Sequence, residues 1–229
     1  MRLRRLSENV ALMPARPNRL VLVLGTETGI GKTWTAAAIL RELVDGGTRA
    51  VARKPVQSFA PEVAEAAGTD AHVLGRAGGE EPEDVCPRHR WYEAALAPPM
   101  AAAVLGRPAF SVDDLVTELA WPADTAVGLV ETVGGPRSPI ATDGDSVDLC
   151  TALSPDSVVL VADAGLGAIN AVRLSVEVLL TGCAPVVVIL NRWEATDVQR
   201  RNRDWLHRDG YQVATSVADV AARITHRRA

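Results

Sequence analysis

The chain has 229 residues, 48% of them hydrophobic, and a formal net charge of −4 at pH 7. This length suits one domain with a sizeable core, and the negative charge argues against the basic face that a nucleic-acid partner requires. No apolar run reaches the ~20 residues of a membrane span. The three cysteines, Cys86, Cys150 and Cys183, show no CxxC spacing. A sparse, odd set of this kind favours a reducing cytoplasm over a disulfide framework or a zinc site.

Residues 1–18 carry four arginines and no apolar segment, so they do not read as a secretory signal. We predict a flexible N-terminal extension over residues 1–18 and a single α/β domain over residues 19–229. Apolar runs predict strands at 20–24, 50–54, 126–131, 158–163 and 186–191. Helical patterns cover residues 33–45, 71–77, 100–105, 112–119, 170–180, 197–208 and 217–225, and residues 134–146 are predicted as a loop.

Strands that alternate with helices predict a three-layer sandwich, with a mainly parallel sheet and helices on both faces. Ligands of such sheets bind at the carboxyl ends of the strands. The first strand runs there into GTETGIGKT, residues 25–33. The backbone N–H groups of such a loop cradle phosphates, Lys32 reaches the β- and γ-phosphates, and the Thr33 hydroxyl binds Mg²⁺. The pattern predicts a P-loop domain that binds a nucleoside triphosphate, although Gly25 comes one residue earlier than in the plain pattern GxxxxGK[ST].

Polar residues also stand at the other predicted strand ends. Lys54 ends the second strand, and there it would stabilise developing negative charge or be an ordinary solvated lysine. Ser58 follows four residues later and can present a hydroxyl. Asp70 precedes a helical pattern, so it is either an N-cap or a Mg²⁺ ligand. Glu131 ends an apolar strand, where a buried carboxylate usually has a cation nearby and a surface role is the alternative.

Two further strand ends are candidates for ligand contacts. The segment ADAGLGAIN leads to Asn170, where a helix is predicted to begin. Free N–H groups at that helix start would suit a carboxylate. The alternative is a well-capped helix without a ligand. Asn191 ends the last predicted strand. Its amide would pair with the edge of adenine, or it would close a turn.

Taken in order, GTETGIGKT, KPVQS, TDAHVL, VETVGG, GAIN and NR resemble the motifs of the dethiobiotin synthetase family, over roughly residues 19–220. The resemblance implies an ATP-dependent cyclo-ligase of biotin biosynthesis, normally a homodimer. It converts 7,8-diaminononanoate, CO₂ and ATP into dethiobiotin, ADP and phosphate. One amine takes up CO₂ as a carbamate, the carbamate attacks the γ-phosphate, and the second amine closes the ureido ring.

The resemblance also implies roles for individual residues. Lys54 and Lys32 would be catalytic, and Mg²⁺ would be held by Thr33, Asp70 and Glu131. The diamine would contact Thr28 and Ser58, and its far carboxylate would contact Gly167, Ala168, Ile169 and Asn170, across the dimer interface. The nucleotide would contact Gly29, Ile30, Gly31, Lys32, Thr33, Asp70, Glu131, Gly134, Asn191 and Arg192, with Asn191 at the adenine.

The chain departs from the family pattern at Thr132 and Val133, where the family has Gly and Ala, and at Arg192, where it has Asp. These departures leave the amine substrate and the base preference open, with Arg192 or Trp193 as an alternative stacking partner for the base. A paralogous ligase acting on another amine or carboxylate is one alternative. A regulatory ATPase of the partitioning type is a second alternative, but it would carry a lysine at the position of Glu27. A small-molecule kinase is a third, but it would need an arginine-rich lid. A non-catalytic nucleotide-binding module is the last alternative.

Overall fold

A computed structural model describes residues 16–62, 65, 68–180 and 182–226. Its main sheet has six strands in the order β2-β5-β1-β6-β7-β8, and every neighbouring pair is parallel. These strands are β1 (Arg19–Gly25), β2 (Ala50–Arg53), β5 (Val127–Glu131), β6 (Ser157–Asp163), β7 (Val186–Asn191) and β8 (Gln212–Ala214). Two short strands, β3 (Gln57–Ser58) and β4 (Trp91–Tyr92), form a separate parallel pair.

Helices follow most of these strands. They are α1 (Lys32–Asp45), α2 (Asp70–Gly78), α3 (Pro82–Val85), α4 (Pro98–Val104), α5 (Val112–Thr117), α6 (Ser146–Leu153), α7 (Ala168–Leu179), α8 (Asp197–Arg208) and α9 (Val217–Thr225), with a 3₁₀ turn at Arg88–Arg90. Of the helices in the described part of the chain, none is both long and apolar enough to span a membrane.

The core lies on both faces of the sheet, as the central strand shows. In β1, Leu20, Leu22 and Leu24 belong to one buried cluster, which they share with side chains of α5, α6, α7 and α8. Val21 and Val23 point the other way, into a cluster shared with α1, α2 and α9. Because successive side chains of a strand alternate between faces, a continuously apolar strand requires helices on both sides. The predicted three-layer α/β P-loop fold is therefore confirmed.

Strands β3, β4 and β8 and helices α3 and α6 were not predicted from the sequence. Strand β8 has three residues and β3 and β4 have two each, which is too short to produce an alternating pattern. Helix α6 begins where the predicted loop 134–146 ends: Asp145 accepts hydrogen bonds from the N–H groups of Val147 and Asp148, and Asp148 completes a capping box. This cap was the local signal for the helix.

The first and last residues of the chain, 1–15 and 227–229, lie outside the described residues, and with them most of the extension predicted over 1–18. Within the described part of that segment, Arg16 donates to the carbonyl of Ser154, and the Asn18 N–H donates to the carbonyl of Thr125.

Two of the cysteines meet in the structure, contrary to the expectation of isolated thiols. Cys150 of α6 and Cys183, which precedes β7, form a disulfide, with Cα atoms 6.0 Å apart. They are 33 residues apart in the chain, so spacing alone gave no sign of the contact. Cys86 is free and buried, and burial raises the pKa of its thiol well above the ordinary value.

Candidate active site

The loop between β1 and α1 has the geometry of an anion site. Helix α1 begins at Lys32, its N-cap Gly31 has no side-chain cap, and its first turn holds no acidic residue. The N–H groups of that turn therefore point at open space with the positive end of the helix dipole behind them. Gly31 has φ 98°, and a Cβ there would collide with the side-chain amide of Asn191, so only glycine fits this position.

Lys32 reaches across the mouth of this loop. Its Nζ donates to the carbonyl of Glu27 at 3.0 Å and to the carbonyl of Gly134 at 2.8 Å. Burial, together with the nearby charge of Lys54, lowers the pKa of Lys32 to about 8. An anion bound at the loop would offset both effects and raise the pKa of Lys32 again, so a bound phosphate stabilises the charged form of this lysine.

A cluster of four side chains closes the floor of the site. Thr33 Oγ1 lies 2.9 Å from Asp70 Oδ1 and 2.8 Å from Glu131 Oε1. Lys54 Nζ lies 2.8 Å from Asp70 Oδ2 and 2.7 Å from Glu131 Oε1, and it donates to the carbonyl of Thr132 at 2.9 Å. Sequence reasoning predicted that these four strand-end and helix-start residues would meet, and the structure brings them together.

The electrostatics of the cluster follow from its burial. Lys54 and Glu131 are 2% and 1% exposed. Burial alone would lower the pKa of Lys54, but the charges of Asp70 and Glu131 outweigh burial and raise it, so this lysine is protonated. Burial raises the pKa of Glu131, because Lys54 compensates only in part. Burial would also raise the pKa of Asp70, but the charge of Lys54 and the hydrogen bonds from Lys54 and Thr33 outweigh burial and lower this pKa.

The donor atoms of this cluster fit a hard divalent cation. Glu131 Oε2 is buried and has no hydrogen-bond partner, and a carboxylate oxygen in that position usually has a cation nearby. With the oxygens of Thr33 and Asp70 it gives the all-oxygen set that Mg²⁺ prefers. No group of three or more His, Cys, Asp or Glu side chains arranged for a metal exists among the described residues. A cation here would therefore need oxygens from a bound phosphate as well.

A cleft of about 680 Å³ opens above this floor. Of the predicted site residues, it is lined by Thr28, Gly29, Gly31, Lys32, Thr33, Lys54, Ser58, Asp70, Glu131 and Gly134. The Ser58 hydroxyl donates to the carbonyl of Leu96 at 2.6 Å, which leaves its oxygen free to accept a hydrogen bond from a ligand. The apolar part of the lining includes Phe59, Leu96 and Val133.

The two remaining groups of predicted residues lie in other grooves. Asn191 and Arg192 line a groove of about 520 Å³ on the far side of Gly31. Gly167, Ile169 and Asn170 line a groove of about 480 Å³ at the start of α7, and none of its lining residues in the described part of the chain lines the main cleft. Ala168 is buried, and Ile30 is buried but presents its carbonyl to the Asn191 amide.

Several residues that line these spaces were not predicted. Phe59, Ala60, Ser138 and Pro139 line the main cleft, and they carry no motif of their own. Trp34 lines the groove of Asn191. The position of Trp34 directly after GKT could have predicted this, because a residue on the first turn of that helix lies beside the phosphate site.

Comparisons with known proteins agree with this geometry. A family model described as an AAA domain matches residues 19–224. The ATP-dependent dethiobiotin synthetase BioD of Anaeromyxobacter dehalogenans (strain 2CP-C) is 36% identical over 214 residues, which are 91% of this chain and 86% of that protein. A protein of the same name from Haloferax mediterranei is 35% identical over 183 residues, 79% of this chain and 75% of that protein. The one from Caulobacter vibrioides (strain NA1000 / CB15N) is 38% identical over 166 residues, 69% and 73% of the two chains.

Solved structures share the fold at low sequence identity. The crystal structure of a duf1611 family protein from Anabaena variabilis superposes with a TM-score of 0.53 at 15% identity. The match covers 92% of this chain, which spans only 58% of that one. This likeness concerns the arrangement of strands and helices alone.

Proposed function

Because the chain belongs to the ATP-dependent dethiobiotin synthetase family, we propose that it is a cyclo-ligase that forms the ureido ring of dethiobiotin from 7,8-diaminononanoate, CO₂ and ATP. The observation that carries the proposal is the position of Lys54. This buried lysine lies between two carboxylates at the point where the phosphate loop opens into a cleft with an apolar wall. A phosphate, a second anion and an aliphatic chain can meet there.

The phosphate loop binds the triphosphate of ATP. The N–H groups at the start of α1 and the ammonium group of Lys32 hold the β- and γ-phosphates. Lys32 already bridges the carbonyls of Glu27 and Gly134, so it is positioned before the nucleotide arrives. Its lowered pKa returns toward the ordinary value when the phosphates supply negative charge.

Thr33, Asp70 and Glu131 are the residues that would hold Mg²⁺, and the buried unpartnered oxygen of Glu131 supports this assignment. Bound there, the ion would neutralise charge on the β- and γ-phosphates.

The diamine lies in the main cleft, with its hydrocarbon chain against Phe59, Leu96 and Val133. Thr28 and the free lone pairs of Ser58 receive its nitrogen groups. One amine adds CO₂ to give a carbamate, and a carbamate oxygen attacks the γ-phosphorus and displaces ADP. The second amine then attacks the carbonyl carbon, expels phosphate and closes the ring. Lys54 lies at the meeting point of the two anions and reduces their repulsion.

The far carboxylate of the diamine requires a second copy of the chain in this proposal. Gly167, Ile169 and Asn170 line a separate groove within one chain, so a substrate in the main cleft would reach this helix start only from a partner subunit. Leu166 and Leu174, which flank it, are 89% and 59% exposed. Exposed leucines beside a functional groove are typical of an interface, and we propose a homodimer that covers them.

Phosphate release from Mg²⁺-ATP tests the proposal. We expect release to depend on both 7,8-diaminononanoate and bicarbonate, and to fall by at least ~100-fold in Lys54→Ala, because anion stabilisation at the reacting centre is lost. Arg201→Ala is the matched control, since this cation lies in an exposed pair with Asp197. ATP binding without any stimulation by the diamine would contradict the proposal and favour a ligase for another amine.

A further inference from the structure

A second groove adjoins the phosphate loop and is not part of the cleft in which the chemistry is proposed. It has a volume of about 520 Å³, and Gly31 lines both spaces. Its walls include two indoles, Trp34 and Trp193, together with Asn191 and Val217. A nucleotide whose phosphates lie at Gly31 can therefore extend its base into this groove without crossing the main cleft.

Trp34 is the most unusual residue of the groove. It lies on the first turn of α1, next to Thr33, and 62% of its surface is exposed. No ring of the described residues stacks on it. A large aromatic side chain held in solvent beside an anion site is typical of a surface that receives a flat, partly polar ligand.

Trp193 is the second indole, and it is fixed more firmly. It is partly buried against the core cluster of β1 and β7, and the guanidinium of Arg203 lies over its ring, 5.5 Å from the ring centroid. The groove thus pairs an indole held by the core with one that is free to adjust.

The polar side chains of the groove are largely engaged elsewhere. Asn191 donates from Nδ2 to the carbonyl of Ile30 at 2.8 Å, within the phosphate loop. Arg192 donates to Asp163 Oδ2 at 3.0 Å and to the carbonyl of Gly29 at 2.9 Å. The Arg192 guanidinium therefore holds the phosphate loop against β6 instead of facing a base.

We propose that the base of the nucleotide is bound by stacking on Trp34 and Trp193, and that Arg192 is a positioning residue for the phosphate loop. This inference rests on the proposed function only in taking a nucleoside triphosphate as the ligand. Stacking is available to every base. The groove consequently discriminates weakly among bases, and GTP binds within about tenfold of ATP, because stacking supplies most of the base affinity.

Calorimetric titration with ATP, GTP and inorganic triphosphate, each with Mg²⁺, tests the two indoles. Trp34→Ala is expected to weaken ATP binding by about tenfold, the size of one lost stacking contact, and to leave inorganic triphosphate unchanged. Trp193→Phe keeps a smaller ring against the core and is expected to weaken ATP by a lesser factor. Trp205→Ala is the control, because this indole is also exposed and does not line the groove.

Unchanged ATP affinity in Trp34→Ala, or a preference for ATP over GTP of more than about a hundredfold, would overturn the stacking proposal, because a polar contact would then be reading the base. Failure of the natural chain to bind any of the three ligands would overturn both this inference and the proposed function. Binding of ATP as described here, without diamine-dependent phosphate release, would overturn the proposed function alone.

Arg192→Ala separates positioning from base contact. If Arg192 acts through the loop, ATP and inorganic triphosphate weaken by the same factor, and their affinity ratio is unchanged. A loss confined to ATP would overturn this role and make Arg192 a base contact. Quenching of indole fluorescence by ATP but not by inorganic triphosphate is the expected optical signature, and it should be smaller in Trp34→Ala, where Trp193 is the one indole of the pair that remains.

Discussion

A buried lysine dominates the site at the scale of single residues. Lys54 uses its three N–H groups on Asp70, Glu131 and the carbonyl of Thr132. Removing one member of a buried ion pair leaves an uncompensated charge, which costs about 3–5 kcal/mol, whereas removing both members costs far less. The residue that we propose for catalysis is thus also part of the stability of the nucleotide-free protein.

A double-mutant cycle measures this coupling. In urea unfolding at pH 7 without nucleotide, Lys54→Met is expected to lower the free energy of unfolding by about 3 kcal/mol. Lys54→Met combined with Glu131→Gln is expected to lose less than the sum of the two single losses, by about 1–3 kcal/mol. Additive losses would contradict the burial argument. The exposed pair of Arg223 and Asp219 is the control, since such a pair contributes at most about 0.5 kcal/mol.

Much of the site could be predicted at this scale, and the reason is geometric. Lys54 and Glu131 end or follow neighbouring strands of a parallel sheet, and such ends share one edge. No comparable rule predicts which way a side chain in a loop points. Arg192 lies in a left-handed conformation, with φ 56°, and its guanidinium turns back to Gly29 and Asp163. Neither the turn nor those partners can be derived from the sequence.

At the scale of elements, an ion pair joins the short sheet to the helical layer. Arg90, just before β4, places its Nε and Nη2 2.7 and 2.6 Å from the two carboxylate oxygens of Glu118 at the end of α5. The same guanidinium lies over the ring of Phe110, 4.5 Å from the ring centroid. These contacts hold the segment that leads into the apolar wall of the main cleft.

The pH dependence of stability tests this pair. Burial opposes the charge of Glu118, but the hydrogen bonds from Arg90 outweigh burial and lower its pKa. A carboxylate with a lowered pKa in the folded state stabilises the fold above its ordinary pKa, and that contribution disappears as the pH falls through the folded-state pKa. Glu118→Gln should therefore cost about 1–2 kcal/mol at pH 7.

The same substitution should cost almost nothing in acid, below the folded-state pKa of Glu118. Thermal unfolding of both proteins across this pH range gives the difference. A cost that is independent of pH would contradict the assignment to charge and favour a packing role for the side chain.

Strands and helices with a clear apolar pattern were predicted, whereas strands of two or three residues were not. Apolar runs such as those of β6 and β7 and the helical pattern of α8 match their observed bounds to within a residue. Strand β8 and the pair β3–β4 are held in place by tertiary contacts, which a local pattern does not contain. The disulfide of Cys150 and Cys183 was missed for the same reason, because it depends on how α6 packs beside the loop that precedes β7.

At the scale of the whole molecule, our proposal requires two copies of the chain. Leu166, just before α7, and Leu174, in the middle of α7, are exposed, while the substrate cleft is built from other elements. A site assembled from two chains explains both observations, since the partner would cover the leucines and bring its helix start to the substrate.

Sedimentation of Leu174→Glu tests the dimer. A buried carboxylate at the centre of an interface is strongly unfavourable, so this variant is expected to sediment as a monomer and to lose diamine-dependent phosphate release. It should still bind ATP, because the phosphate loop lies within one chain. Leu180→Glu is the matched control, since Leu180 is 74% exposed at the other end of α7. A natural chain that sediments as a monomer and is fully active would contradict the shared site.

The central claim is that this chain closes a ureido ring with carbon from CO₂. The most direct test is mass spectrometry of the product formed from ATP, Mg²⁺, 7,8-diaminononanoate and isotopically labelled bicarbonate. We predict dethiobiotin with the label in its ureido carbonyl, formed in equal amount to the ADP released, and no labelled product from Lys54→Ala. ATP hydrolysis that leaves the diamine unchanged would contradict the account.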